Sequence, residues 1–280
     1  MRRKRRRKRM RPQHVIFAYL VMIVLAVSSC MKVQEYHKES VHAAAGGSLV
    51  YTKNPTSLNV NVQGMCELAQ NWESFPEDLV EALSKYPEIL PFVLGYPEAK
   101  KNGTKNKIDI SGEYQKGEIP LFIQWDARWG YQPYGDSMIG VSGCGPTCLS
   151  MVVVGLTGDT RYHPAKMAAY SKENGFIVPE VGTDWRLFST GAERFGLQVQ
   201  RLFLQEDDIY RQLKAKHPII CSMKPGDFTY TGHFIVLTGV DNEGNVHVND
   251  PNSKRNSGRK WKLGRVLSQM KSAWAYSVAR

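Results

Sequence analysis

The chain has too little cysteine to be held together by disulfides. Five cysteines (Cys30, Cys66, Cys144, Cys148 and Cys221) are spread over 280 residues, so no disulfide framework is implied, although a single bridge such as Cys66–Cys221 stays open. Cys144 and Cys148 lack a second close-spaced ligand pair. A zinc site made from them with His233 and Cys221 is therefore not expected, and no metal or other cofactor is implied. No Gly-x-x-x-x-Gly-Lys-Ser/Thr loop is present, which excludes a P-loop nucleotide-binding unit, and there are no internal repeats. Beyond residue 11 the chain also lacks net charge. Of its 37 Lys+Arg, nine fall within residues 2–11, leaving 28 basic against 26 acidic residues. The overall charge of +11 therefore describes a terminal run and not a phosphate-binding surface, and nucleic acid is not an expected partner.

After the basic segment 1–13 comes "VIFAYLVMIVLAVSSCM" (residues 15–31), which contains no charged residue. At about 1.5 Å per residue a helix of this length just spans a hydrocarbon core, and the basic run on its amino side favours a cytoplasmic start. The expectation is a signal anchor or signal peptide over 14–31, a membrane association and an extracytoplasmic catalytic domain. Three forms compete: a retained anchor, a lipoprotein signal with Cys30 in the lipobox-like "VSSC", and a cleaved leader with the small residues of "SVHAAAG" (40–46).

Residues 32–64 are polar and rich in Ser, Asn, Gly and Thr, as a tether would be. Over 65–100 the apolar residues Leu79, Ala82, Leu83, Ile89, Leu90, Val93 and Leu94 fall at helical spacing, and Pro76, Pro87 and Pro97 are read as lying near segment starts. This reads as a short helical hairpin. Residues 101–116 are polar and read as a linker. From 117 to 280 the pattern mixes α and β signals and is long enough for one compact domain.

Within that domain, "SGCGPTCLSMVVVGL" (142–156) sets Cys144 between two glycines and ahead of Pro146, a residue suited to a first helical turn. The apolar run that follows predicts a buried helix ending at Gly155 or Gly158. At a helix N-terminus the unpaired backbone N–H groups favour a thiolate, the nucleophilic form of cysteine. The glycines would let backbone approach a substrate and bind an oxyanion. A buried structural thiol is the competing reading.

A nucleophilic thiol needs a base. His14, His37 and His42 precede the domain, His163 and His217 both stand before prolines and mark element boundaries, and His247 lies in a strand-like run. His233 remains, at the point where the Gly/Thr/Tyr-rich "GDFTYTG" opens into a β-branched strand. The segments 233–240 and 245–250 flank "DNEG" as a hairpin. If Val240 pairs with Asn245, Ile235 faces Asp250, and His233 and Asp250 become diagonal cross-strand neighbours. A slip of one residue would put Asn249 there instead, and a turn role for Asp250 in Asp-Pro is the alternative.

Gly143-Cys144-Gly145-Pro146, Gly232-His233-Phe234 and Asn249-Asp250-Pro251, in this order, resemble the bacteriocin-processing (double-glycine) peptidase-like family of papain-fold cysteine peptidases. The resemblance spans roughly 117–280 and starts at "IPLFIQWDARWGYQPYG" (119–135). It implies an α+β papain-like cysteine peptidase fold in which the helix bearing the Cys packs on an antiparallel sheet bearing His and Asp. By resemblance Cys144 is the nucleophile, His233 the general base and acid, Asp250 the group orienting the imidazole, and Gln124 the oxyanion-hole donor. Gln124 stands twenty residues before Cys144, where the family keeps its glutamine only a few residues away, so Gln132 is a rival. Peptide or protein is the implied substrate. Two other readings stay open: a cell-wall peptide amidohydrolase or acyltransferase with the same triad, and an inactive peptide-binding module. Trp125, Trp129 and Trp185 divide between groove and core roles, and the basic stretch 251–262 between a polyanion contact and a solvated loop.

Overall fold

The computed structural model describes residues 68, 71–103, 107–179 and 182–278. The basic segment, the apolar run, the tether and Cys66 lie outside the described residues. Among the described residues no helix is long and apolar enough to cross a membrane.

Backbone contacts divide the chain after Leu94 into two compact units. In the first, α1 (Glu77–Lys85) carries Glu77 and Asp78 in its first turn and Lys85 in its last, charges that suit the helix dipole. A 3₁₀ turn, Pro87–Ile89, leads into α2 (Leu90–Asn102), of which residues 90–94 belong to this unit and the rest to the second. Over the segment read as a helical hairpin, Leu79, Val80, Leu83, Ile89, Phe92 and Val93 are buried. Pro97 differs from expectation, since it lies inside α2 and does not begin a segment.

The second unit begins at Gly95 and contains the segment read as a linker. Ile110 is 2% exposed within the main core, and Ile108 and Tyr114 pack against it. Isolated apolar residues in a polar stretch gave no periodic signal, yet each fills a place in the core. The elements that follow are β1 (Pro133–Tyr134), β2 (Ser137–Met138), α3 (Ile139–Ser142), α4 (Cys144–Thr157), α5 (Pro164–Glu173), β3 (Ile177–Val178), β4 (Gly182–Thr183), α6 (Thr190–Glu193), β5 (Leu197–Arg201), α7 (Glu206–Lys214), β6 (Ile219–Met223), β7 (His233–Val240), β8 (Asn245–Asn249), α8 (Lys254–Ser257), β9 (Trp261–Lys262), α9 (Leu263–Leu267) and β10 (Met270–Val278).

Six strands form one sheet in the order β5-β10-β6-β7-β8-β9, and every pairing is antiparallel. Alternation along the central strands sends Ile220, Phe234, Val236, Trp274 and Tyr276 into one core, which also takes α4 and α5. Ile219, Cys221, Met223, Ile235, Leu237, Ala273 and Ala275 face the opposite way, into a second core covered by α7 and α9. Both faces are buried, which explains why β6 and the first half of β7 are mostly apolar and do not alternate with polar residues.

α4 is buried along most of its length, from Gly145 to Gly155. It ends at Gly158, whose φ of +75° is left-handed and whose N–H donates to the Val154 carbonyl. Gly155 is not the stop. A Cβ there would lie 2.9 Å from Ile119 Cα, so this glycine lets the 118–119 strand of backbone cross the helix closely.

Candidate active site

Cys144 is the first residue of α4 and is half-buried. α3 forms a single turn just before it, and Gly143 between them bonds through its N–H to the Ile139 carbonyl at 2.8 Å. A Cβ on Gly143 would stand 2.6 Å from that same carbonyl oxygen, and one on Gly145 would stand 2.5 Å from Thr183 Oγ1. Both glycines are therefore demanded by close packing inside the protein. This steric requirement stands beside the expected role in substrate approach.

His233 opens β7 opposite Met223 of β6. The loop feeding it is held by Gln269, which accepts from the Asp227 N–H at 2.6 Å and donates to Asp227 Oδ2 at 2.8 Å. Asp250 follows β8 directly. The hairpin reaches the expected register by an unexpected route. Val240 pairs with Val246 and not with Asn245, and a bulge at Thr238 then shifts the ladder by one, so that Val236 faces Asn249. Asn249 is occupied elsewhere, its Nδ2 donating to the Ile119 and Pro120 carbonyls.

The result is a buried pair. His233 Nε2 lies 2.7 Å from Asp250 Oδ1, with the side chains 6% and 1% exposed. The bond to Asp250 commits Nε2, and Cys144 is close enough to act on the ionisation of the ring. Burial alone would push the imidazole toward its neutral form. The charge of Asp250, the bond to it and the contact with Cys144 outweigh that effect and raise the His233 pKa well above the ordinary histidine value.

Asp250 is itself held on all sides. Oδ1 also accepts the Asn252 N–H at 2.9 Å, Oδ2 accepts Asn256 Nδ2 at 2.8 Å, and the Asp250 N–H donates to Ser257 Oγ at 2.9 Å. Asn252 and Asn256 were not singled out from the sequence. The available signal was the turn chemistry of Asp-Pro-Asn-Ser, in which an aspartate accepts from the N–H two residues on and a serine caps the next helical turn.

Gln124 is 2% exposed and ties the site's loops together. Its backbone N–H donates to the Pro251 carbonyl at 2.8 Å, and its Nε2 donates to the carbonyls of Gly140 and Val141 in α3, at 3.0 and 3.2 Å. Oε1 is buried without a hydrogen-bond partner. The amide thus sits beside the turn that precedes Cys144, with its donors already engaged by the protein. Gln132 is half-buried between Trp129 and Ile139, to which its backbone is bonded.

The other thiols are set apart. Cys148 lies in one core and Cys221 in the other, each fully buried and free of disulfides. Burial pushes both thiols up, and for Cys148 the nearby Cys144, Asp250 and Cys221 add to it, so both stay neutral and unreactive. Among the described residues no cluster of three or more His, Cys, Asp or Glu could hold a metal. Trp129 is core, Trp125 is buried with its indole N–H on the Asn252 carbonyl, and Trp185 is 39% exposed. His163 caps α5, as its place before Pro164 suggested.

This arrangement brings a histidine and a carboxylate together at the end of an interior strand of the sheet, near a cysteine at a helix start, the residue types that thiol-based acyl transfer uses. No curated protein matches the chain. The family model described as "Peptidase_C39 like family" matches residues 116–279, the stretch that carries the Cys144 helix, His233, Asp250 and the six-stranded sheet, and the chain belongs to that family.

Proposed function

We propose that this chain is a cysteine peptidase that hydrolyses peptide bonds through Cys144, His233 and Asp250, held at the outer face of a membrane by its N-terminal apolar segment. The observation that carries the reading is the buried His233 ring, bonded to Asp250 at 2.7 Å, with the half-buried Cys144 near enough to influence its charge.

The chemistry follows from that order. The Cys144 sulfur adds to the scissile carbonyl carbon, and the Cys144 backbone N–H at the start of α4 serves as a donor to the oxyanion. His233, protonated on the nitrogen that meets the thiol, gives its proton to the leaving amine as the C–N bond breaks, leaving a thioester. Water then attacks the thioester with His233 taking its proton, and the acid product leaves as the thiol is restored. Asp250 holds the ring in one tautomer and one orientation throughout. Gln124 joins as an oxyanion donor if its amide exchanges the Gly140 and Val141 carbonyls for the developing charge.

Turnover of a peptide library by the full chain tests this. Cys144→Ala should abolish cleavage, and His233→Ala should lower kcat/KM by about 10²–10⁴-fold. Cleavage that survives Cys144→Ala would refute the proposal. The membrane assignment rests on residues 2–31 of the sequence. Recovery of the chain in the membrane fraction, with the domain cut by added protease in intact cells, is the expected outcome.

A further inference from the structure

The groups around Asp250 include one that the proposed mechanism does not use. A carboxylate turns readily about its last torsion, so His233 alone does not fix which oxygen faces it. Asn252 N–H and His233 both bond Oδ1, whereas Oδ2 is met by Asn256 Nδ2, at 2.8 Å. Asn256 is 7% exposed, and its backbone is anchored by residues other than Asp250. Its N–H donates to Ser253 Oγ at 3.1 Å, and its carbonyl accepts the Trp261 indole N–H at 2.9 Å. Trp261 is 4% exposed, with the Arg259 guanidinium 4.2 Å from its ring centre. The amide is a neutral donor. It satisfies the second oxygen without cancelling the negative charge that His233 needs, which a lysine or arginine there would do.

We propose that Asn256 is a positioning residue that acts on the reaction through Asp250, holding the carboxylate so that Oδ1 stays on His233. The inference rests on the reading of Cys144, His233 and Asp250 as the reacting set. Asn256→Asp is isosteric, keeps both backbone anchors and places a second carboxylate against the first. Two carboxylates so close do not both ionise, and the shared proton weakens the hold on the imidazole. Asn256→Ala leaves a buried oxygen without a donor.

The test uses the full chain and two readouts that a merely structural role would not move. One is the pH profile of iodoacetamide alkylation at Cys144, and the other is the downfield proton resonance of the His233 ring N–H bonded to Asp250. Asn256→Asp should slow alkylation at neutral pH by about 10–100-fold, the range that misplacement of a catalytic group produces, and should shift or broaden the His233 resonance. Asn256→Ala should do the same, and if it unfolds the isosteric variant decides. An unchanged profile and resonance in folded Asn256→Asp would overturn the proposal. His233→Ala separates the two levels. If it slows alkylation while the Asn256 variants do not, only the positioning role falls, and if it has no effect both fall together.

Discussion

Val236 of β7 stands opposite Asn249 of β8, and this single pairing fixes where the next residues outward can go. Beyond the end of the ladder, His233, three residues before Val236, and Asp250, one residue after Asn249, meet at 2.7 Å, and α4, which begins with Cys144, shares a core with Phe234 and Val236 of β7. The bulge at Thr238 lies between this pairing and the hairpin turn. It absorbs the extra residue and leaves the register correct at the end where the chemistry would occur.

Reagent selectivity among the thiols is the first consequence. Cys148 and Cys221 are fully buried and kept neutral by that burial, while Cys144 is half-buried. Brief treatment of the native chain with iodoacetamide should label Cys144 and leave Cys148 and Cys221 intact, as read by peptide mapping. Labelling of Cys148 at a comparable rate would contradict the burial.

The raised His233 pKa makes stability depend on pH with a defined sign. A group whose pKa is higher in the folded state stabilises most fully below its unfolded value, about 6.5 for histidine, and loses that contribution as pH rises through the folded value. Burial works against the charge, but Asp250 and Cys144 overcome it. The urea midpoint of the wild type should therefore exceed that of His233→Ala most at pH 6 and below, and the gap should narrow toward alkaline pH. A gap that widened with pH would mean that His233 is buried as the neutral ring.

Gly145 tests the steric account of the site. A methyl there would meet Thr183 Oγ1 at 2.5 Å and Thr183 Cβ at 2.7 Å, and Thr183 is bonded to the buried Tyr134 hydroxyl at 2.8 Å. Overpacking of this kind costs about 1–3 kcal/mol. Gly145→Ala should lower stability by that amount in chemical denaturation, and Thr183→Ala in the same chain should recover part of it. No loss in Gly145→Ala would leave the glycine with the substrate-approach role alone.

Much of this was legible in the residues because it depends on local chemistry. Gly143-Cys144-Gly145-Pro146 before an apolar run specified a helix start, and the β-branched run after His233 specified a strand with the histidine at its entry. The Asp250 position was reached through a hairpin register that failed at Val240 and was restored at Val236, since a bulge leaves no mark in an alternation that is already all apolar. Ile110 and Tyr114 were missed because a residue that fills a core from an irregular segment has no period. Asn256 was missed for a related reason. Its partner is six residues away through a single helical turn, and only the folded loop brings the amide onto the carboxylate. For Gln124 the sequence suggested a role but could not show that its donors already face Gly140 and Val141.

The central claim is that Cys144 and His233 form one reacting pair, and the rate of Cys144 alkylation as a function of pH, in the full chain and in His233→Ala, tests it most directly. An ordinary thiol, with a pKa of about 8.5, is almost wholly protonated at pH 6. The account expects fast labelling of the wild type to persist at that pH and to be lost in His233→Ala. An ordinary thiol profile that His233→Ala leaves unchanged would contradict it.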